Sequence, residues 1–117
     1  MSRRLALTLA LALAATQASA HAHLKTASPA EGATVAAPAE ITLGFTEELE
    51  VKLSSIIVKD ARGVVVSAAP AEAVRGDRKA LKVRLKPVSP GAYSVEWAAT
   101  SVDTHRVNGQ YRFTVRP

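Results

Sequence analysis

Three histidines and one aspartate are the residues of this chain whose spacing indicates metal chemistry. His21 and His23 lie near its start, while Asp103 and His105 are separated by one residue near its end. In extended chain, residues two apart point the same way, so Asp103 and His105 can face a common point. An imidazole and a carboxylate there suit a divalent transition metal. A turn-capping carboxylate beside an exposed loop histidine is the alternative interpretation.

His21 gains a second donor atom if the residues before it are removed. Residues 1–20 begin with Arg3 and Arg4, continue as an apolar run and end in the small residues ASA, as a cleavable secretory signal does. The run is too short to cross ~30 Å of hydrocarbon and no second one follows, so we expect no membrane insertion after cleavage. Cleavage after Ala20 would leave His21 with a free α-amine and an imidazole. Cu(II) favours such nitrogen ligands.

The composition of the mature chain, residues 21–117, excludes several classes of function. Without Arg3 and Arg4, 13 of the 15 Lys+Arg remain against 10 Asp+Glu, a formal charge of +3. With two Tyr, two Phe and one Trp, no base-stacking surface is indicated, so nucleic acid is not an expected partner. There is no Cys, and Met1 is the only Met, so sulfur ligands are missing from the mature chain. Its size predicts one domain, and we expect a monomer.

Period-two hydropathy alternation predicts β-structure throughout the mature chain. It is clearest in residues 41–45, 81–86, 93–98 and 111–116, with further strands expected at 23–27, 51–58 and 64–66. Residues 33–39 suggest a connector, and residues 47–50 a helical turn or a loop. Asn108-Gly109 is typical of a tight hairpin or bulged turn. About seven short strands predict an all-β, Greek-key sandwich or barrel.

The chain resembles the CopC/PcoC family of periplasmic copper-binding proteins over essentially the whole mature sequence, residues 21–117. The matching segments are HAHL (21–24), SPAEG (28–32), FTE (45–47), PGAYSVEW (90–97) and SVDTHRVNGQYRF (101–113). The last is the most specific, because it resembles the family signature S-x-D-x-H-x-x-x-G-x-x-x-F. The resemblance implies a small cupredoxin-like (immunoglobulin-like) Greek-key β-barrel, in agreement with the strand pattern.

The resemblance also implies a histidine-brace site that holds one Cu(II) per chain. His21 would give its α-amine and imidazole, His105 a second imidazole and Asp103 a carboxylate oxygen. Glu47 matches a family carboxylate placed to hydrogen-bond the ligating amine, which would orient that ligand. Some family members carry a separate Met-rich Cu(I) site. Residues 51–77 contain neither Met nor His, so that site is not expected here.

By the same resemblance, the function would be periplasmic copper buffering or carriage rather than catalysis, with a CopD-type inner-membrane copper transporter as a partner. Copper oxygenases also use histidine braces, but they leave open the position that Asp103 would fill. Two other readings stay open. Cu(II) or Ni(II) could be wrapped by the His21 amine, two deprotonated amides and the His23 imidazole. The chain could also be a metal-free structural β-module.

Overall fold

The computed structural model describes residues 22–117, so the signal predicted at residues 1–20 and the predicted ligand His21 lie outside the described residues. Within that range no helix has the length and apolar character needed to cross a membrane. A single turn of 3-10 helix covers Val51–Leu53. The strands are β1 (Leu24–Ser28), β2 (Thr34–Val35), β3 (Glu40–Phe45), β4 (Ser55–Asp60), β5 (Glu72–Val74), β6 (Asp77–Arg84), β7 (Gly91–Thr100) and β8 (Arg106–Val115).

The strands form two four-stranded sheets that pack face to face. One sheet has the order β1-β3-β6-β5 and the other the order β2-β8-β7-β4. Neighbouring strands are antiparallel except β2 and β8, which pair in parallel over two residues. The chain changes sheet at each connection from β1 to β5 and again between β6 and β7, and such crossings between sheets are typical of Greek-key sandwiches. The predicted all-β sandwich is therefore confirmed.

The core lies between the sheets and is built from the alternating apolar residues of the long strands. Inward-facing side chains of β3, β6, β7 and β8 are almost fully buried, and each large one contributes about 1.5–3 kcal/mol by leaving water. Phe45 and Trp97 meet edge to face with ring centroids 5.2 Å apart, joining the end of β3 to β7 across the core. Phe45 pairs with Leu24 at the start of β1, so this contact fixes the end of the sandwich where the described chain begins.

The prediction of a turn at Asn108-Gly109 is wrong. Both residues lie inside β8, where Gly109 pairs with Trp97. A Cβ at Gly109 would lie 2.6 Å from Cζ2 of the Trp97 ring, so glycine is needed here for close approach rather than for a turn. The β7–β8 hairpin turns earlier, at residues 101–105, which extends β8 back to Arg106.

The minor elements also differ from the sequence prediction. Residues 51–53 form the 3-10 turn, so the strand predicted at 51–58 begins at Ser55. Residues 64–66 make an isolated bridge from Val65 to Lys59 instead of a strand. Residues 33–39, predicted as a connector, contain β2, and β5 was not predicted. Residues 47–50 are a loop in which Leu49 bridges to Ser101. Such short pairings depend on distant partners more than on local sequence.

Candidate metal centre

The turn between β7 and β8 carries Asp103 and His105. Its two ends are joined because the Ser101 amide donates to the His105 carbonyl at 2.9 Å. The Thr104 amide donates back to the Ser101 carbonyl at 2.8 Å, and Thr104 takes a positive φ of 72°. That conformation is uncommon for a β-branched residue and costs of the order of 1–3 kcal/mol. The surrounding pairing therefore holds the turn in one shape.

The structure brings Asp103 and His105 together as predicted, although the turn at residues 101–105 does this and not extended chain. Asp103 Oδ1 lies 3.4 Å from His105 Nδ1, and the two side chains are 46% and 52% exposed. One carboxylate oxygen and one imidazole nitrogen thus sit side by side at the surface. A metal ion can reach both from solvent without any opening of the core.

A buried serine fixes the carboxylate of that pair. The Ser101 hydroxyl donates a hydrogen bond to Asp103 Oδ1 and lies 3.2 Å from the His105 carbonyl oxygen. This hydrogen bond, supported by His105 and partly offset by desolvation, holds the pKa of Asp103 below its ordinary value of 3.8. Asp103 is therefore a carboxylate at neutral pH, with lone pairs available to a cation.

The loop at residues 46–50 joins the start of β1 to this turn. The His23 amide donates to Thr46 Oγ1 at 2.9 Å, and the Thr46 amide donates to the His23 carbonyl at 3.0 Å. Two residues further on, the Glu48 carbonyl accepts a hydrogen bond from the Val102 amide at 3.0 Å. Glu47 lies between these two anchoring points. The beginning of the described chain and the β7–β8 turn therefore meet at the same end of the sandwich.

Glu47 is half-buried in that loop. No hydrogen bond or ion pair joins its side chain to another residue in the range 22–117. The structure thus puts Glu47 beside the candidate centre by chain position and leaves its predicted partner, the amine of His21, outside the described residues.

Ala22 is the first described residue, and it is completely buried in the core. His21 is attached to it by one peptide bond. Among residues 22–117 no group of three or more His, Cys, Asp or Glu side chains could hold a metal ion. The described part of the candidate centre is thus the pair Asp103 and His105.

The backbone of His23 is tied to Thr46. Its amide and its carbonyl both bond to Thr46. A metal wrapped by the His21-Ala22-His23 backbone needs the His23 amide deprotonated and turned to the ion. That change removes at least the bond to Thr46 Oγ1, a loss of about 0.5–1.5 kcal/mol. The fold therefore works against this alternative.

Ser101 and Thr46 are the residues of the centre that sequence reasoning missed. The alternation through Tyr93, Val95 and Trp97 continues to Ala99 and Ser101, so period two predicts an inward-facing serine at the end of β7. That signal was available. No comparable signal marks Thr46, whose contact with His23 depends on the register of β1 against β3.

The chain is similar to known proteins over most of its described length. The CopC domain model matches residues 24–116. Copper resistance protein C of Xanthomonas campestris pv. juglandis is 38% identical over 103 residues, which is 80% of this chain and 78% of that protein. The crystal structure of CopC from Methylosinus trichosporium OB3b superposes with a TM-score of 0.78 at 34% identity, covering 83% of this chain and 95% of that one. PcoC from Escherichia coli, a methionine-rich copper resistance protein, superposes with a TM-score of 0.73 at 36% identity, covering 83% and 100%. The chain belongs to the CopC family.

Proposed function

We propose that the mature chain is a periplasmic protein that binds one Cu(II) ion and buffers or carries it without turnover. Membership of the CopC family implies copper binding. The observation that carries the proposal is the pairing of Asp103 with His105 at 3.4 Å, at the end of the sandwich where the mature chain would begin.

The proposed ligands are the α-amine and imidazole of His21, the imidazole of His105 and the carboxylate of Asp103. Three nitrogens and one oxygen suit the tetragonal preference of Cu(II). Support comes from Ala22, which is anchored in the core, and from the loop that links the Thr46–His23 pairing to the Glu48–Val102 hydrogen bond. Glu47 in that loop would accept a hydrogen bond from the ligating amine and keep it oriented.

The proposed site exists only after export. We propose that residues 1–20 are a signal peptide, because cleavage after Ala20 creates the amine that the site needs. Mass spectrometry of the exported protein tests this step. A first residue other than His21 would contradict the proposal.

Copper is proposed to enter and leave as Cu(II). The mature chain has no Cys and no Met, so soft ligands for a separate Cu(I) site are missing. PcoC, by contrast, is described as methionine-rich. We also propose that the chain is not an enzyme, because Asp103 would occupy the position at which a copper oxygenase binds oxygen. We propose in addition that the chain is monomeric. A CopD-type membrane protein is the proposed acceptor of the ion.

Competition titration with a chelator of known Cu(II) affinity tests the proposal. The mature protein should bind one equivalent, and His105→Ala should weaken binding by more than about 100-fold, beyond what loss of an outer partner costs. An added residue before His21 should weaken Cu(II) binding by a similar factor, because it removes the α-amine from the site. His23→Ala is the matched control and should change little.

Two other results would contradict the proposal. Retention of affinity by His105→Ala together with its loss in His23→Ala would move the metal to the His21-Ala22-His23 backbone. Failure of the mature wild-type protein to retain any Cu(II) would indicate a structural β-module.

A further inference from the structure

We propose that Ser101 is a positioning residue for copper: its hydroxyl holds the Asp103 carboxylate in the orientation that binds the ion. This inference rests on the proposed function, because it concerns the same site. It concerns a residue that does not itself bind the metal.

Ser101 is held rigidly from every side. It is 1% exposed, and its amide and carbonyl are used by the turn that it begins, in bonds to His105 and Thr104. It also bridges to Leu49 in the neighbouring loop. On such a backbone the hydroxyl is restricted to the few staggered rotamers of its side chain, and burial of the residue limits exchange between them.

Within residues 22–117, the Ser101 hydroxyl reaches Asp103 Oδ1 and the His105 carbonyl oxygen. A bond to an ionised acceptor is stronger than one to a neutral carbonyl. The His105 carbonyl already receives the Ser101 amide. The Ser101 hydroxyl therefore donates its hydrogen bond mainly to the Asp103 carboxylate.

This bond has a clear consequence for Asp103. The aspartate side chain is nearly half exposed and lies in a surface turn, where an unrestrained carboxylate would sample several rotamers. The bond from Ser101 directs Oδ1 toward His105 Nδ1 before any metal arrives. Preorganisation of this kind raises affinity, because less freedom is lost on binding.

Cu(II) competition titration on Ser101→Ala tests the role. Loss of a group that orients a ligand typically costs 10–100-fold in metal affinity, so we expect a loss of about 10-fold with an altered copper EPR spectrum. Ser101→Thr keeps the hydroxyl and should recover most of the affinity. The matched control is Ser54→Ala, which removes a hydroxyl that bonds the Glu50 carbonyl and the Thr100 amide without touching Asp103. It should leave affinity and spectrum unchanged.

A double-mutant cycle with Asp103→Ala separates positioning from a general effect on the turn. If Ser101 acts through the carboxylate, Ser101→Ala should have no further effect once Asp103 is alanine. An equal loss in both backgrounds would overturn the inference, and so would unchanged affinity in Ser101→Ala. If Ser101→Ala does not fold, Ser101→Val carries the same prediction, because valine has nearly the shape of the threonine in Ser101→Thr but no hydroxyl. Absence of copper binding in the wild-type protein would instead refute the proposed function.

Discussion

The two tyrosines of the core give a sharp prediction, because they differ mainly in whether the hydroxyl is bonded. Tyr111 is 4% exposed, and its hydroxyl has no hydrogen-bond partner among residues 22–117. Tyr93 is 5% exposed, and its hydroxyl donates to the Ser89 carbonyl at 2.6 Å. A buried polar group left unpaired costs about 1–3 kcal/mol, whereas a bond that is made contributes about 0.5–1.5 kcal/mol. Tyr111→Phe should therefore raise the free energy of unfolding by about 1 kcal/mol, and Tyr93→Phe should lower it by a similar amount.

Urea unfolding of the mature protein at neutral pH, without metal, measures both changes. The two midpoints should move in opposite directions with an unchanged slope, since neither substitution alters the surface exposed on unfolding. Thermal unfolding should show shifts of about 4–8 °C for a domain of this size. A loss of about 1 kcal/mol or more in Tyr111→Phe would refute the reasoning, because it would mean that the Tyr111 hydroxyl is bonded in solution.

Three further predictions follow from the core and the site. Burial raises the pKa of Tyr111 to about 12, while an unfolded tyrosine ionises near pH 10. The unfolded state therefore loses its proton first, so the wild-type protein should lose stability relative to Tyr111→Phe as the pH rises above 10. Parallel urea midpoints from about pH 8 to 11 would contradict this. Gly109→Ala should lower the free energy of unfolding by about 1–3 kcal/mol, because its Cβ would lie 2.6 Å from the Trp97 ring; an unchanged melting temperature would count against it. Cu(II) affinity should fall from about pH 8 to pH 5, because the ligating amine must release a proton. Asp103, whose pKa is lowered by Ser101, stays ionised over that range. A pH-independent affinity would argue against an amine ligand.

The long strands could be predicted from the sequence because each buries one face over several residues. The alternation of Tyr93, Val95 and Trp97 fixes which side faces the core, and Tyr111 and Phe113 do the same for β8. The error at Asn108-Gly109 has a physical cause. A glycine gives the same local signal whether it frees the backbone for a turn or makes room for a ring, and Trp97 becomes its neighbour only after pairing.

The candidate site was predictable in part. Asp103 and His105 are close in sequence and therefore close in space, but a turn with a positive φ at Thr104, and not an extended strand, brings their side chains together. The approach of Thr46 to His23 and of Glu48 to Val102 depends on how distant segments pair, and no local pattern contains that information. The hydrogen bond proposed between Glu47 and the His21 amine is implied by the family resemblance, and no local pattern of the sequence marks it.

An EPR spectrum of the mature protein, beginning at His21, with one equivalent of Cu(II) tests the central claim most directly. The proposed histidine brace should give a tetragonal signal with three nitrogen ligands and one oxygen. That signal should be disrupted both in His105→Ala and in a form extended by one residue before His21. A four-nitrogen signal that survives His105→Ala, or the lack of any protein-bound signal, would contradict the proposed copper site.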